Sequence, residues 1–284
     1  MTGALAERVA ERAAAWGLAV ERTHATDTSL LAFGTRAGRP VVLKVVRAGD
    51  EWRSGEIAAA FGGRGVVQVL EHVGGAALLE RVVPGEPLAA LALGGRDDEA
   101  TGILAALLGR MSPGEPPSGC ATVEQWGTAF GAYLMSGDTR VERALVEHAQ
   151  RVYAELAATQ RNPALLHGDL QHYNVLRDAA RGWLAIDPKG VVGELEYEIG
   201  AALRNPIERP ELFGAPATLE RRLELFHDAL LIDVDRARAW AFAQAVLSAI
   251  WTVEDGLADD ARGAALTLAA AIRESSAFRA DFDA

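Results

Sequence analysis

The chain has 284 residues, 28 of them Lys or Arg and 39 Asp or Glu, for a formal net charge of -11. That acidic balance suits a phosphate backbone badly, so nucleic acid is not an expected partner, and a neutral or cationic small molecule fits better. No run reaches the ~18 apolar residues of a membrane span, and the lone Cys120 permits no internal disulfide and fits a reducing compartment, so a cytoplasmic protein, monomer or homodimer, is expected.

The first stretch, MTGALAERVAERAAAWGL, carries Glu7, Arg8, Glu11 and Arg12 where a secretory leader would be apolar. Leu5, Val9 and Trp16 sit at helical spacing and Gly17 stands where a C-cap would. From Ser29 the pattern changes. SLLAFGTRAGRPVVLKVV is two apolar runs around a glycine-rich turn, which predicts a β-hairpin, with a short extra strand before it. A second pair, GVVQVLEH and ALLERVV, turns at Gly74-Gly75. Between the hairpins, DEWRSGEIAAAF has helical spacing at Trp52, Ala59 and Ala60. A small antiparallel sheet carrying one helix is expected.

Lys44 lies inside the second strand, in VVLKVV. It either points to solvent from a half-exposed strand or faces Glu56, twelve residues later on the helix. In the second case an ion pair fixes an ammonium that could hold phosphate oxygens. From Pro84, VPGEPLAAL reads as a linker, and the chain beyond it as mostly helical. Val141, Leu145, Val152 and Leu156 mark one amphipathic helix, Leu219–Leu231 a second and Ala237–Glu254 a third. MSPGEPPSG, residues 111–119, is expected to be an exposed loop.

The stretch LLHGDLQHYNVL, Leu165–Leu176, follows Pro163 and has Gly168 between two polar residues, so a loop is favoured over a helix. Asp169 and Asn174 are five apart, and Asp187 ends an apolar strand thirteen residues further on, in WLAIDPKG. Phosphoryl transfer needs a carboxylate to orient the attacking hydroxyl, hard oxygen ligands for magnesium, and a cation on the phosphates. Asp169 suits the first role, Asn174 and Asp187 the second, Lys44 the third.

HGDLQHYN followed by ID resembles the catalytic and metal loops of the protein-kinase-like fold. Glycine after the histidine resembles the aminoglycoside phosphotransferase and choline kinase superfamily. IDPKGVVGELEYEIGAALRNP is similar to the streptomycin 6-kinase and hydroxyurea phosphotransferase group. The resemblance implies a bilobal α+β fold, with an antiparallel sheet lobe over residues 1–83 and a helical lobe over residues 84–284. It implies ATP and Mg2+ as cofactors, and an aminoglycoside hydroxyl, streptomycin-type, as acceptor.

By the same resemblance, Lys44 contacts the nucleotide phosphates and Glu56 is its helix partner, with Glu51 the second candidate. Asp169 is the catalytic carboxylate, Asn174 and Asp187 hold the metal, and His167 braces the loop. Glu80–Val83 forms the hinge, where Glu80 and Val82 meet the adenine. No G-x-G-x-x-G precedes Lys44; groups around Thr26–Ser29, Ser29 included, take its place over the phosphates.

Four residues are candidates for the acceptor or phosphate side. Lys189 follows the metal aspartate by two positions. Glu196 lies in the acidic run GELEYE, which is otherwise a solvated face. Trp251 and Asp255 share a helix face with Leu247, where an aromatic beside a carboxylate could receive a cation; the alternative is a core tryptophan with solvated acids. His172 is expected at the surface, the alternative being contact with nucleotide or substrate. Rival readings keep the enzyme with a sugar or amino alcohol as acceptor, retain only ATP binding in a regulator, or make it a metal-dependent hydrolase, which would need more ligands.

Overall fold

The computed structural model describes residues 2–47, 49–112, 114–256, 259–275 and 278. Leu5, Val9 and Ala13, each four apart, turn one face of helix α1 (Thr2–Trp16) onto a five-stranded sheet. Gly17, at φ +66°, ends that helix. The sheet contains β1 (Ala19–Ala25), β2 (Ser29–Arg36), β3 (Arg39–Val46), β4 (Val69–Val73) and β5 (Ala76–Glu80), in the order β1-β2-β3-β5-β4, antiparallel throughout. Val41, Leu43 and Val45 of β3 pack with α1 into a small core. Strand alternation therefore puts Lys44 on the opposite face.

A single 3-10 turn (Asp50–Arg53) and helix α2 (Ser54–Ala60) join β3 to β4. Ile57 and Phe61 belong to the large core of the helical half, so α2 leans away from the sheet's small core. The chain then passes through β6 (Pro84–Pro87), α3 (Ala89–Leu93), α4 (Asp97–Met111), α5 (Val123–Ser136), α6 (Arg143–Ala158) and β7 (Ala164–Leu166). After these come β8 (Val175–Asp178), β9 (Gly182–Ala185), β10 (Val191–Gly193), α7 (Leu195–Leu203), α8 (Glu211–Gly214), α9 (Pro216–Leu230), α10 (Val234–Glu254) and α11 (Asp259–Glu274). The result is a bilobal α+β fold.

The helical half is built round α10. Its alanines at 237, 239, 241, 243, 245 and 249 are fully buried, as are Trp240, Phe242, Leu247 and Ile250. A helix apolar on every side is one enclosed by neighbours, and α10 meets α5, α6, α7, α9 and α11. Two small sheets lie where this half meets the five-stranded sheet. One is β6-β8-β9 and the other β7-β10. Ala185 in β9 is strapped to the α2–β4 connection, donating to Gly65 O at 2.7 Å and accepting from Val67 N–H at 2.9 Å.

Three expectations change. Pro84–Pro87 is not a free linker but an edge strand, pairing Pro84 with Asp178 and Pro87 with Leu176. Proline is tolerated there because an edge strand leaves one side of its backbone unpaired. Val141 precedes α6 rather than lying in it. In the expected exposed loop, Gly114 is buried and bridged to Leu165, while Glu115, Pro116, Ser118 and Gly119 are exposed; Pro113 lies outside the described residues.

Candidate active site

Three segments converge on one cleft: the buried strand lysine, the 3-10 turn before α2, and the loops flanking β8 and β9. Lys44 is only 8% exposed. Its ammonium meets Asp187 and lies 3.0 Å from Glu51. The Lys44 partner is thus Glu51 and not Glu56. The reason is local: Glu51 sits on the 3-10 turn Asp50–Arg53, ahead of α2 in the chain. Glu56, in the first turn of α2, pairs at 2.8 Å with Arg53.

Glu51 holds a second lysine, Lys189, at 2.5 Å. Burial pushes the carboxyls of Glu51 and Asp187 up, but the facing lysines outweigh it, and both end below the ordinary carboxylate range. Burial likewise pulls Lys189 down, and Asp187 and Glu51 more than restore it. Glu51, Asp187 and Lys189 are therefore charged. Asp187 sits at φ +58°, a conformation costly for a residue with a Cβ and typical of a site where a side chain must be aimed.

Asp169 stands beside this cluster. The Asn174 side-chain amide donates to its carbonyl oxygen at 2.9 Å and its carboxylate at 3.0 Å. The donor end of Asn174 is thereby turned to Asp169, and its amide oxygen is the end a hard cation would take. Burial raises the Asp169 carboxyl above its usual value, against the pull of Arg204, whose guanidinium lies 3.8 Å away, and of Lys189. Arg204 in turn donates to Gln244 at 2.8 Å.

Buried partners fix the loop itself. Burial pushes His167 down to about 4, so the ring is neutral. Its Nδ1 accepts the Asp169 N–H at 3.3 Å, which leaves Nε2–H to donate to Ile186 O at 2.9 Å. Glu198, in the first turn of α7, accepts from Gly168 N–H and Leu170 N–H. His172, expected at the surface, is 1% exposed, with burial lowering its pKa to about 3. The 3-10 turn His172–Asn174 folds its ring inward.

The other candidates divide. Ser29 is buried and closes a turn: its N–H donates to Thr26 Oγ1 at 2.9 Å and the two hydroxyls are 2.8 Å apart. Asp27 and Thr28 are the exposed tip of that turn, and Thr28 Oγ1 lies 3.4 Å from Glu51. Glu80 ends β5 and accepts from Gln68 N–H at 2.6 Å and Arg181 at 2.8 Å. Val82 is buried where the chain leaves the sheet. Glu196 accepts the Asp233 N–H at 3.2 Å, just ahead of α10. Trp251 is half-buried, edge-on to Trp126 at 5.4 Å between ring centroids, and Trp126 abuts Gly168. Asp255 is an exposed residue at the end of α10.

Lys44, Glu51, Asp169, Asn174, Asp187 and Lys189 therefore form one polar cluster. Glu198, Arg204 and Gln244 support it and were not singled out from the sequence. Glu198 carried a signal only as the last member of GELEYE, and Arg204 only as part of LRNP. Among the described residues no group of three or more His, Cys, Asp or Glu could hold a metal. A cation shared between one amide oxygen, one carboxylate, phosphates and water needs no such cage, and Asn174 with Asp187 fits that pattern.

A sheet lobe with a buried lysine–glutamate pair, set over a helical lobe with an H-G-D loop, defines a kinase-like scaffold. Choline kinase LicA from Streptococcus pneumoniae shares it, with a TM-score of 0.69 and 14% identity over 96% of this chain and 100% of that one. So does a thermostable mutant of aminoglycoside phosphotransferase APH(4)-Ia in ternary complex with ADP and hygromycin B, at TM-score 0.63 and 20% identity over 94% and 98%. The family model for aminoglycoside/hydroxyurea antibiotic resistance kinases matches residues 16–256, and the chain belongs to that family. Streptomycin 3''-kinase of Klebsiella pneumoniae is 34% identical over 223 residues, 76% of this chain and 81% of that protein. Hydroxyurea phosphotransferase of Kitasatospora aureofaciens is 34% identical over 260 residues, 88% and 73%. Streptomycin 6-kinase of Streptomyces griseus is 33% identical over 239 residues, 80% and 74%.

Proposed function

We propose that this chain transfers the γ-phosphoryl group of magnesium-ATP to a hydroxyl of a streptomycin-type aminoglycoside, in the cytoplasm. The observation that carries the reading is the convergence of Lys44, Asp169, Asn174 and Asp187 on one cleft. The division falls at 83/84, with the nucleotide under residues 1–83, its adenine against the backbone of Glu80–Val83, and the acceptor on residues 84–284. Asn174 and Asp187 would hold magnesium, which when bound neutralises charge on the phosphates.

This chain's own residues do the rest. Lys44 anchors phosphate oxygens, and Glu51 orients Lys44. Asp169 accepts the hydrogen bond of the acceptor hydroxyl, fixes it in line and takes its proton. Arg204 and Asn174 hold the Asp169 carboxylate in place. The net charge of -11 suits a polycationic acceptor, and streptomycin stands in the names of three relatives.

The test is mass spectrometry of streptomycin after incubation with the protein and magnesium-ATP, with Asp169→Asn alongside. One added phosphoryl group is expected with the native protein and about 10²–10⁴-fold less with the variant. Equal transfer by the variant would overturn the role of Asp169. Transfer to hydroxyurea but not to streptomycin would keep the reaction and replace the acceptor.

A further inference from the structure

We infer that Lys189 is a second phosphate-binding cation, dedicated to the γ-phosphoryl group, and that Glu51 holds it in waiting until a nucleoside triphosphate arrives. The inference rests on the reading of the cleft as a γ-phosphoryl transfer site.

The two lysines share one carboxylate. Lys44 lies 3.0 Å from Oε2 of Glu51, and Lys189 lies 2.5 Å from Oε1. Lys44 also meets Asp187, so it keeps a partner when Lys189 leaves Glu51 for a phosphate. The side chains differ in access: that of Lys44 is 10% exposed and that of Lys189 is 37% exposed. Lys44 sits deep, against the metal aspartate. Lys189 stands at the open side of the same cluster, where the outermost phosphate of a bound triphosphate would lie.

The backbone fixes where Lys189 starts. Its N–H and that of Gly190 both donate to His167 O, at 2.8 and 3.0 Å. Its Cα is thereby tied to the residue two before Asp169. Gly190 has φ +77°, and a Cβ there would lie 2.3 Å from Ile57 Cδ1 on α2. The segment is thus pressed against the helix that follows Glu51. Lys189 rises between the metal loop and the catalytic loop, and Asp187, Glu51 and Asp169 all act on its ammonium. A cation placed among the metal, the base and the phosphate partner is positioned for the group that passes between them.

During transfer, the bond from phosphorus to the β–γ bridging oxygen breaks and its electron pair leaves with ADP. The bond from the acceptor oxygen forms, and the acceptor proton goes to Asp169. Lys189 follows the equatorial oxygens through that change while Lys44 stays with the phosphates that remain on ADP. Glu51 takes Lys189 back when the transferred group departs.

The experiment is equilibrium binding of ADP and of AMP-PNP, each with magnesium, to the native protein, Lys189→Met and Lys189→Arg, together with steady-state kinetics. The expected result for Lys189→Met is AMP-PNP affinity lower by about 10-fold, ADP affinity within about two-fold, and kcat lower by about 10²-fold. Lys189→Arg should regain part of both losses. Equal losses for ADP and AMP-PNP, or none with kcat intact, would overturn the inference. So would a rise in acceptor KM with nucleotide binding unchanged, which would put Lys189 on the acceptor. A native protein that transfers phosphate normally while its Lys189 variants behave in any of these ways loses the inference alone. A native protein that binds neither nucleotide loses the underlying reading as well.

Discussion

Both carboxylate oxygens of Glu198 lie 3.0 Å from the backbone nitrogen of Gly168, and one also accepts the Leu170 N–H at 3.2 Å. A glutamate in the first turn of α7 therefore straps the residues on either side of Asp169. Glu198 is 1% exposed, so no water replaces it without rearrangement. Replacing it with alanine leaves buried N–H groups unpaired, at about 1–3 kcal/mol each. Glu198→Ala should lower kcat for the acceptor by at least about 10-fold with a much smaller change in nucleotide KM, because the loop that carries Asp169 loosens while Lys44 and Glu51 stay put. Steady-state kinetics decide this. A variant that keeps its kcat would show the strap to be dispensable.

His167 and Glu198 hold the same loop and titrate in opposite senses. Burial keeps His167 neutral down to about 4, against 6.5 for a free side chain. As pH falls through that window the unfolded chain takes a proton that the folded one refuses, so stability is lost by about 1.4 kcal/mol per pH unit. Burial raises Glu198 to about 7, against 4.5 when free. Its contribution is fully present below 4.5 and is lost as pH rises through 7, at a similar slope. The two nearly cancel in their shared window. Denaturant unfolding across it should show His167→Gln gaining on the native protein as pH falls, and Glu198→Gln gaining as pH rises. Parallel profiles would contradict both assignments.

What could be read from the chain and what could not follows from the range of the interactions. The H-G-D-x-x-x-x-N loop and Asp187 lie on a few contiguous turns, so their spacing is legible in the chain, whereas strand alternation leaves Lys44 open between solvent and a helix glutamate, and only the packing of the sheet decides it. The choice between Glu51 and Glu56 turns on where α2 begins, and helix boundaries are blurred in sequence. Glu194, Glu196 and Glu198 look alike in GELEYE. Only the packing of α7 shows that two are buried and one is half-exposed. His172 looked like a surface residue because its burial comes from helices distant in sequence. Arg204 reaches Asp169 only because α7 ends against the catalytic loop.

Arg222 supplies the next expectation. It is 1% exposed on α9 and makes a double contact with Asp97 of α4, at 2.9 and 2.6 Å. Its guanidinium also donates to the carbonyls of Leu203 and Asn205, at 3.1 and 3.0 Å, bracketing Arg204. Removing one partner of a buried pair costs about 3–5 kcal/mol, because the other charge is left unpaired. Arg222→Met should lower stability by that order in denaturant unfolding. Arg222→Met with Asp97→Leu should recover part of it, since no lone charge remains. A double variant no more stable than the single would show that the lost carbonyl contacts, and not the unpaired carboxylate, dominate.

Glu51 and Glu56 can be separated by one pair of variants. Glu51 touches Lys44 and Lys189, whereas Glu56 touches Arg53, whose guanidinium also donates to Ser118 O and Gly119 O. In Glu51→Gln the two ammoniums lose their shared counter-charge, and Lys44 is left to pair with Asp187 alone, drawing the carboxylate that would hold the metal. Nucleotide binding should weaken by about 10-fold or more, and the magnesium concentration needed for half-maximal rate should rise. Glu56→Gln breaks a solvent-screened pair and should leave both unchanged within about two-fold. Titrating magnesium against initial rate for the two variants checks this. The reverse ranking would return the lysine's partner to α2 and would mean that the pair seen here rearranges when nucleotide binds.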